Sequence, residues 1–379
     1  MSYHRIINAS LILSLKNDHS PANKLTFKSM AFNLSSAVNF DSSNATNQTF
    51  SNAQHQEHQN NDPVAIRYKN IVLPNNETNE HSFELIIDAP YVCKRGYESQ
   101  LKVLAVVHTA PTHTKQREYI RRTWGNSKWI HVNHLKVLFV LGHPRNESIQ
   151  CAIKLEANIY NDIIQEDFYD DYRNLTHKAL AWLKWVSHNC PQIQFVLKSD
   201  DDMYINTFKL VPHLRRFANY NQDRSTNAIY CFRYSYASVQ RQFGDKWYVS
   251  KSEYEPELYG RHCPGLAYIL SADLVPKLYK ISKRTRFFWI DDIYVTGFLA
   301  QNVEKLLLGS QSYTNRSMNA MNENIIHYYG IHGLYSTIVQ TQWTAIKDGS
   351  LILALNSNLN QRYKFWKETV RQLQLYDSD

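Results

Sequence analysis

The sequence contains no apolar run long enough to cross a membrane. The best N-terminal candidate, IINASLILSL at residues 6–15, has about half of the ~20 residues that a transmembrane helix needs. It is also more polar than a typical signal peptide. For a luminal protein two explanations stay open: this weak segment acts as the signal, or the chain lacks its true N-terminal anchor.

Long basic runs and closely spaced cysteine pairs are absent as well. The chain has 42 basic and 34 acidic residues and a formal net charge of +8, which suits an anionic ligand such as a nucleotide, a polyanion or a membrane surface. No basic run is long enough to demand nucleic acid. The five cysteines show no Cys-x-x-Cys or Cys/His spacing, which argues against a zinc site, and their odd number permits two disulfides and one free thiol. They are Cys93, Cys151, Cys190, Cys231 and Cys263.

What the chain does contain is typical of a large folded domain with an N-terminal appendage. Of its 379 residues, 43% are hydrophobic and 13% aromatic, enough for a sizeable core. Residues 16–62, by contrast, are rich in Asn, Ser, Gln and His and have no apolar periodicity. Residues 16–62 are therefore predicted to form a flexible stalk in front of the folded part of the chain.

Eight Asn-x-Ser/Thr sequons favour the secretory pathway. An Asn-rich and Ser-rich N-terminus produces single sequons by chance, so no one of them is informative, but together they favour that compartment. The acceptor residues are Asn8, Asn33, Asn44, Asn47, Asn76, Asn146, Asn174 and Asn315.

From about residue 101 strand-like and helix-like segments alternate. LKVLAVVHTA, LKVLFVLG and QIQFVLKS are short apolar runs of the buried-strand type, and DIIQEDF is a shorter strand or loop. Between them TKQREYIRRTWG, SIQCAIKLEANIY and NLTHKALAWLKWVSHNC have helical spacing. This order predicts an α/β fold with a mostly parallel central sheet flanked by helices. Ligands of such sheets bind beyond the carboxyl ends of the strands.

Three consecutive aspartates follow one of these predicted strands. Asp200, Asp201 and Asp202 form an Asp-x-Asp pattern whose oxygens suit Mg2+ or Mn2+. A solvated acidic turn is the alternative, but a buried strand leads directly into the cluster and an apolar alternation follows it. An EF-hand is excluded, because the Gly and Glu of that loop are missing at the required positions. The pattern predicts a metal site.

A second acidic pair, Asp291 and Asp292, interrupts the apolar and aromatic stretch RFFWIDDIYVTGFLA. Aromatic surroundings raise the pKa of a carboxyl group, which suits a general base near neutral pH. A helix start capped by aspartate explains the pair equally well. A basic cluster, Arg117, Arg121 and Arg122, can fork onto phosphate or can form a solvated helix face.

Taken together, an ordered set of motifs resembles the inverting β-1,3-glycosyltransferases, which include the β-1,3-galactosyltransferases and β-1,3-N-acetylglucosaminyltransferases. The resemblance covers roughly residues 100–345. The motifs are REYIRRTWG (117–125), FVLG (139–142), EDFYDDYRNLTHKALAWLKW (166–185), VLKSDDDMYIN (196–206), CPGLAYILSADL (263–274) and IDDIYVTGFLA (290–300).

This resemblance implies a flexible, largely disordered stem over residues 1–95, a GT-A nucleotide-diphospho-sugar transferase fold over residues 96–379, and a role for each motif. The donor is a UDP-sugar, bound by Arg117, Arg121, Lys178, Asp200 and Asp201. Mn2+ or Mg2+ is held by Asp202, Asp200 and His332, with His327 as the second candidate histidine. Asp292 is the expected catalytic base, next to Asp291, while Trp289, Tyr294 and Tyr268 either stack on sugars or pack in the core.

Two positions depart from the family pattern. Asp291 stands where Glu is more usual, and THKA stands where TLKT is common, although Lys178 is kept. The resemblance further implies a type II Golgi membrane protein with a luminal catalytic domain. Its partners would be UDP-galactose or UDP-N-acetylglucosamine and a glycan acceptor on a glycoprotein or glycolipid, with no nucleic acid. A catalytically inactive carbohydrate-binding or scaffold protein of the same fold is the alternative, whereas a glycoside hydrolase has no need for the Asp-x-Asp pair.

Overall fold

The computed structural model describes residues 79, 81–94, 102–220, 226–232, 234, 237–309, 326–330, 335–336, 339–348 and 350–376. All of them belong to one compact unit, Asn60–Asp379. Residues 1–78, which make up most of the predicted stem, and the predicted metal ligand His332 lie outside the described residues. In the described part of the chain no helix is both long and apolar enough to cross a membrane.

An eight-stranded mixed sheet forms the centre of this unit. Its order is β1-β4-β3-β2-β5-β10-β7-β11. The four strands β4, β3, β2 and β5 run parallel, as do β7 and β11, whereas β1 and β10 are antiparallel to their neighbours. The strands are β1 (Leu85–Ile87), β2 (Val103–His108), β3 (Leu135–His143), β4 (Ile163–Tyr169), β5 (Phe195–Asp200), β7 (Ala228–Cys231), β10 (Ala267–Ser271) and β11 (His327–Gly330).

Two smaller sheets contain the other strands of the described residues. Strands β12 (Tyr335–Ser336), β13 (Leu353–Leu355) and β6 (Met203–Ile205) form one, and β8 (Ala237–Ser238) pairs with β9 (Leu258–Tyr259) in the other. Strand β6 begins directly after the three aspartates and pairs antiparallel with β13. The C-terminal part of the chain is therefore joined to the loop that carries the acidic cluster.

Helices cover both faces of the central sheet. They are α1 (Thr114–Arg122), α2 (Ile130–Asn133), α3 (Glu147–Tyr160), α4 (Leu175–Asn189), α5 (Thr207–Tyr220), α6 (Leu274–Ser282), α7 (Ala300–Gly309), α8 (Val339–Lys347) and α9 (Leu359–Tyr376). A π-helix (Ile293–Leu299) precedes α7. Because successive side chains of a strand point to opposite faces, Leu104 and Val106 of β2 join one hydrophobic cluster and Val103, Ala105 and Val107 join the other.

The predicted fold class is confirmed: the unit is an α/β structure with a mostly parallel central sheet flanked by helices. Buried parallel strands read as continuous apolar runs, and β2, β3 and β5 fall where those runs occur. DIIQEDF, which the sequence left as a strand or loop, belongs to β4.

Disulfides account for four of the five cysteines, as the odd count permitted. Cys93 is bonded to Cys190 and Cys231 to Cys263, while Cys151 is free and exposed. Cys93 and β1 both lie within the predicted stem of residues 1–95, and β1 pairs with β4. This stretch is thus part of the folded unit, and a fragment that begins at residue 96 would lose one edge strand and one disulfide.

Candidate active site

The carboxyl ends of β2 and β5 form the base of the candidate site. The two strands are parallel, with His108 opposite Asp200, so the residues that follow each strand meet at one edge of the sheet. Thr109 donates a hydrogen bond from Oγ1 to Asp201 Oδ2 (2.6 Å), and His113 Nδ1 lies 2.8 Å from the same oxygen. Asp201 therefore holds the loop after β2 against the loop after β5.

Asp200 and Asp202 are less completely partnered. Asp200 accepts a hydrogen bond from Lys198 Nζ at 2.8 Å, and its side chain is 37% exposed. Desolvation in the cleft, together with the charges of Asp202 and Asp291, raises the pKa of Asp200 to about 7, although the positive charge of Lys198 opposes this shift. Burial and the neighbouring charge of Asp201 also raise the pKa of Asp202. Its Oδ1 is buried without a hydrogen-bond partner among the described residues.

These two carboxylates fit a hard divalent cation. Mg2+ and Mn2+ prefer oxygen ligands, and a buried carboxylate oxygen without a hydrogen-bond donor is the kind of atom that such a cation satisfies. Within the described ranges no group of three or more His, Cys, Asp or Glu residues could hold a metal by itself. Asp200 and Asp202 would therefore share the ion with ligands from elsewhere, such as diphosphate oxygens or the predicted His332.

The second acidic pair lies beside the first. Asp291 is buried, and its Oδ2 is 3.5 Å from Lys198 Nζ and 3.5 Å from His108 Nδ1. Lys198, itself buried at the end of an apolar strand, thus lies between Asp200 and Asp291. It also donates a hydrogen bond to the carbonyl oxygen of Gly265. One ammonium group joins the two acidic motifs that are 91 positions apart in the sequence.

His108 is fixed as a neutral donor. Trp182 Nε1 donates to His108 Nε2 at 3.1 Å, and because an indole N–H only donates, the proton of the imidazole resides on Nδ1. That atom faces Asp291. Burial, reinforced by the charges of Lys198 and Lys178, lowers the pKa of His108 well below its usual value. His108 therefore presents an N–H group to Asp291 without adding a charge.

Asp292 is half-buried and immediately precedes the π-helix. Burial and the charge of Asp291 raise the pKa of Asp292 to about 7. Both aspartates lie at the start of a helix, as the capping explanation expects, although the Asp292 carboxylate makes no side-chain capping hydrogen bond. A Cβ atom at Gly265 would lie only 3.4 Å from Asp292 Cγ. The glycine leaves open space next to a carboxylate whose pKa suits a base near neutral pH.

Arg117 and Arg121 lie behind the sheet edge in an ion-pair network. Arg117 is fully buried, pairs with Glu156 (Nη2 to Oε2, 2.7 Å) and donates to the carbonyl oxygen of Ala110 (2.8 Å). Arg121 pairs with Glu156 at 2.6 Å and with Asp162 at 2.8 Å. Both guanidinium groups are thus occupied by internal carboxylates, and Arg117 supports the loop after β2 from within the protein.

Lys178 reaches the same loop from α4. Its Nζ donates to the carbonyl oxygen of Thr109 at 2.7 Å and pairs with Asp170 at 2.9 Å. The departure from the family pattern next to it, His177, points into an aromatic cluster, where its ring stacks on Phe287 with centroids 4.6 Å apart. Like Arg117, Lys178 positions the end of β2 from the buried side.

His327, the second candidate histidine for the metal, lies away from the acidic residues. His332 lies outside the described residues. His327 begins β11, opposite Ala228 of β7, whereas Gly330 at the end of β11 is opposite Cys231. Because β7 and β5 point the same way, their carboxyl ends and Gly330 share the edge that carries Asp200, and His327 lies at the other edge. The structure thus brings Asp200, Asp201, Asp202, Asp291 and Asp292 together but leaves His327 apart.

An exposed aromatic rim adjoins the acidic residues and was not predicted from the sequence. Trp247 donates from Nε1 to the hydroxyl of Tyr172 (2.7 Å), and Lys246 Nζ lies 4.1 Å from the centre of the Tyr172 ring. The Tyr172 ring meets Trp289, two residues before Asp291, edge-on with centroids 6.2 Å apart, which places it near the acidic pair. Burial and the charges of Asp291 and Asp292 raise the pKa of Tyr172 to about 12. We call Tyr172, Lys246 and Trp247 the rim.

Lys246 and Trp247 of the rim lie on a loop that Arg241 stabilises, whereas Tyr172 begins a short 3-10 helix before α4. Arg241 donates to the carbonyl oxygens of Val249, Tyr254 and Pro256 at 2.9, 2.7 and 2.6 Å. By contrast, the three rings suggested by the sequence as sugar-stacking walls are core residues: Trp289, Tyr294 and Tyr268 are 7%, 0% and 0% exposed. No local pattern links Tyr172 with Trp247, since the two are distant in sequence, whereas Lys198 could have been noticed as a cation inside an apolar strand before three aspartates.

The C-terminal segment closes the acidic loop. Arg362 of α9 donates from Nη1 to the carbonyl oxygen of Asp201 at 2.6 Å, and the backbone N–H of Asn356 donates to the carbonyl oxygen of Asp202 at 3.2 Å. Arg362 is buried. The three aspartates are therefore held by β5, by the loop after β2 and by the C-terminal helix.

Comparison with known proteins identifies relatives of this arrangement. A family model described as Galactosyltransferase matches residues 115–305. The chain is 30% identical to human beta-1,3-galactosyltransferase 1 over 235 residues, which is 61% of this chain and 70% of that protein. It is 33% identical to human beta-1,3-galactosyltransferase 5, over 51% of this chain and 61% of that protein. It is 35% identical to UDP-GalNAc:beta-1,3-N-acetylgalactosaminyltransferase 1 of Rattus norvegicus, over 51% and 58%.

Solved structures give weaker likenesses. A glycosyltransferase involved in the glycosylation of the major capsid of PBCV-1 aligns with 9% identity and a TM-score of 0.35, covering 70% of this chain and 98% of that one. The galactosyltransferase LgtC aligns with 10% identity and a TM-score of 0.32, covering 71% and 95%. Both TM-scores are below 0.5, so these two structures indicate no function for the chain. The function is inferred from the site and from the sequence relatives.

Proposed function

The chain belongs to the galactosyltransferase family, and from this premise we propose that it transfers galactose from UDP-galactose to a glycan in β-1,3 linkage, with inversion and with a bound divalent metal. As a member of that family it is a hexosyltransferase that uses a UDP-sugar. The observation that carries the proposal is Lys198, which lies between Asp200 and Asp291. It joins a donor-side and an acceptor-side acidic motif in one cleft.

The donor side of the cleft is formed by Asp200 and Asp202. Together these residues would hold Mn2+ or Mg2+ against the diphosphate of the UDP-sugar, while Asp201 keeps the loop after β2 in place. When bound, such an ion supplies Lewis-acid stabilisation for the charge of the departing UDP. Arg117 and Lys178 act indirectly on the donor site, because both donate hydrogen bonds to the loop after β2 from its buried side.

The acceptor side is formed by Asp292. With a pKa of about 7, its carboxylate can take the proton of an acceptor hydroxyl as that oxygen attacks the anomeric carbon. Lys198 and His108 hold the neighbouring Asp291 in place by contacts of 3.5 Å each. One displacement of this kind inverts an α-linked donor sugar to a β-linked product.

The rim supplies a surface for the acceptor glycan. Aromatic rings with a polar tip bind the apolar faces of sugars and keep one hydrogen-bonding group in water. Tyr172 and Trp247 are each 37% exposed. The Arg241 contacts hold the loop of Trp247, and the hydrogen bond from Trp247 holds Tyr172, before a ligand arrives. We infer that the acceptor lies over the rim with its reactive hydroxyl toward Asp292.

The proposed location is the Golgi membrane, with the catalytic domain in the lumen. Disulfides persist in oxidising compartments such as the secretory pathway, and this chain has two. The acceptor would then be a glycan on a glycoprotein or glycolipid. Donor choice follows the named relatives, two of which are β-1,3-galactosyltransferases. UDP-N-acetylglucosamine and UDP-N-acetylgalactosamine are the alternative donors.

The test is acceptor-dependent UDP release by the full chain with Mn2+, using each of the three UDP-sugars and a panel of simple sugar acceptors. UDP-galactose is expected to give the highest kcat/KM. Asp292→Asn is expected to lower kcat by about 10²- to 10⁴-fold, because it removes the base, while UDP binding measured by calorimetry stays unchanged. Asp167→Asn, an exposed aspartate of β4, is the matched control and should behave like wild type.

Three other results would each correct the proposal differently. Metal-dependent UDP binding with no turnover of any donor would favour the inactive carbohydrate-binding protein. Preferred use of an N-acetylhexosamine donor would retain the mechanism and change the sugar. An unchanged kcat in Asp292→Asn would remove Asp292 from the role of base.

A further inference from the structure

A second concave surface lies away from the acidic cleft. It is a groove of about 710 Å³ between the C-terminal end of α1, the turn at residues 127–129, α8 and α9. The aromatic side chains that line it are Trp129, Trp343, Tyr363 and Trp366. A smaller hollow of about 370 Å³ shares Trp343 and Lys364 with it. We call the two together the aromatic groove.

The aromatic groove is separated from the acidic cleft by the length of α1. His113, just before α1, contacts Asp201, whereas Arg122, the last residue of α1, lines the groove. Nine helical residues span roughly 13 Å. A ligand in the groove would therefore occupy a separate site and would leave the cleft open.

Packing from below fixes the aromatic floor. The Phe208 ring stacks on Trp366 (centroids 5.6 Å apart) and meets Trp129 edge-on at 5.1 Å. At the other end Trp343 stacks on Phe365 at 5.9 Å and remains 39% exposed. The indole N–H of Trp129 has no hydrogen-bond partner in the described part of the chain. Such a floor is rigid, and its most exposed ring is Trp343, whereas the Trp129 N–H is buried.

Positive charge surrounds the floor. Five cationic side chains and one carboxylate line the groove. The cations are Arg122, Lys128, Lys364, Lys367 and Arg371, and the carboxylate is Glu368. Arg371 pairs with Glu368 at 2.6 Å, and Arg122 pairs with Glu118 of its own helix. Among the described residues Lys364 and Lys367, both exposed on α9, have no ion-pair partner. The net positive charge of the groove thus favours the binding of an anion.

We propose that the aromatic groove binds an anionic saccharide, that is, a glycan that carries sulfate or carboxylate groups. Sugar rings stack on aromatic faces, and the lysines would pair with the acidic substituents. The volume lies in the range of ligand pockets, about 300–1,000 Å³. A membrane surface fits less well, because interfacial binding needs several apolar side chains that project outward, whereas in this groove Trp343 is 39% exposed and Trp366 only 7%.

The first experiment measures binding of a heparin-derived hexasaccharide to the full chain by calorimetry, with neutral maltohexaose for comparison. We expect the sulfated sugar to bind more weakly as salt increases and the neutral sugar to show no measurable binding. The double substitution Lys364→Ser with Lys367→Ser should weaken binding about tenfold. Lys154→Ser with Lys280→Ser, which removes two exposed lysines of α3 and α6, makes the same change in net charge and should alter Kd less than about twofold.

The second variant, Trp343→Ala, separates stacking from charge. It should weaken hexasaccharide binding about fivefold to tenfold and leave the salt dependence unchanged, because no cation is lost. Thermal unfolding of each variant checks that the fold is kept.

Four outcomes would overturn the proposal. The first is that the wild type does not bind the hexasaccharide, and the second is that the two lysine pairs cause equal losses of affinity. The third is that inorganic tripolyphosphate binds as tightly as the hexasaccharide. The last is that phosphatidylserine vesicles bind in a way that depends on Lys364 and Lys367, while the sugar does not bind. The last would assign the groove to a membrane surface. None of these measurements requires transferase activity, so the outcome is independent of the proposed function.

Discussion

Two clusters of charge at the same edge of the sheet are built in opposite ways. In the arginine cluster, Arg117 and Arg121 are matched by Glu156 and Asp162 through contacts of 2.6 to 2.8 Å. In the acidic cleft, Asp202 Oδ1 is buried without a hydrogen-bond partner among the described residues, and Asp291 Oδ2 has only the longer contacts of 3.5 Å to Lys198 and His108. The first cluster is electrostatically complete, while the second has unsatisfied acceptors and a pKa of about 7 at Asp200 and at Asp292.

This difference separates structural from functional charge. A buried ion pair is tolerated when each partner satisfies the other, and removal of one member leaves an uncompensated charge. A buried carboxylate with an unused oxygen is costly in the free protein and gains its partner only from a ligand. Incomplete pairing therefore supports the acidic cleft, rather than the arginine cluster, as the proposed substrate site, even though both clusters consist of conspicuous charged residues in the sequence.

Breaking the complete cluster should have the largest effect on stability. Arg117→Met leaves Glu156 buried without its main partner, and we expect the free energy of unfolding to fall by about 3–5 kcal/mol. Urea unfolding followed by circular dichroism measures this. Arg122→Met is the control, since the Arg122 side chain is 68% exposed and should contribute less than about 1 kcal/mol. Equal losses in the two variants would contradict the structural role of Arg117.

Changing the rim should affect acceptor binding by a smaller amount. Trp247→Ala removes the ring that donates to Tyr172, and we expect the acceptor KM to rise about tenfold, or about 1.4 kcal/mol, with UDP binding unchanged. Initial rates at saturating donor measure it. Phe243→Ala removes an 88% exposed ring of the same loop and should leave KM unchanged. A similar rise in both variants would point to a general disturbance of the loop.

The smallest expected effect is a shift of the pH profile. A base must be ionised, so with a pKa of about 7 at Asp292 activity should rise as pH increases through about 7. Asp291→Asn removes the like charge that raises this pKa, and the rise in kcat/KM should therefore move to lower pH. At pH 6 only about one tenth of a group with a pKa of 7 is ionised, so the gain there is limited to about tenfold. A profile that moves to higher pH, or not at all, would contradict the coupling between the two aspartates.

Much of the fold could be predicted because its signals are local. The apolar runs of β2, β3 and β5 and the helical spacing of α4 each lie within about 20 residues, and the acidic cluster follows the end of β5 as expected for an α/β sheet. The antiparallel insertion of β10 between β5 and β7 could not be predicted, because strand pairing depends on contacts between distant segments.

The same holds for the site: residues within one local motif could be predicted, whereas contacts between distant segments could not. Asp200, Asp202 and Asp292 could be selected from their spacing and from the resemblance to the family, and their roles stay predictions. Arg117 looks like a phosphate ligand in the sequence because its partner, Glu156, lies 39 residues away on another helix. Burial and pairing decide what a charged residue does, and neither can be read from the residues next to it. The rim and the aromatic groove depend likewise on segments that meet only in the folded chain.

The contact between Arg362 and the carbonyl oxygen of Asp201 joins residues 161 positions apart. A ribosome adds residues in order, at about 5–20 per second, so α9 leaves the ribosome only after the acidic loop, Asp292 and the rim have all been made. Until then the turn that carries Asp200 and Asp202 lacks the cation that holds its backbone. The sheet can form during synthesis, but the acidic loop gains its last backbone contact only after α9 has left the ribosome.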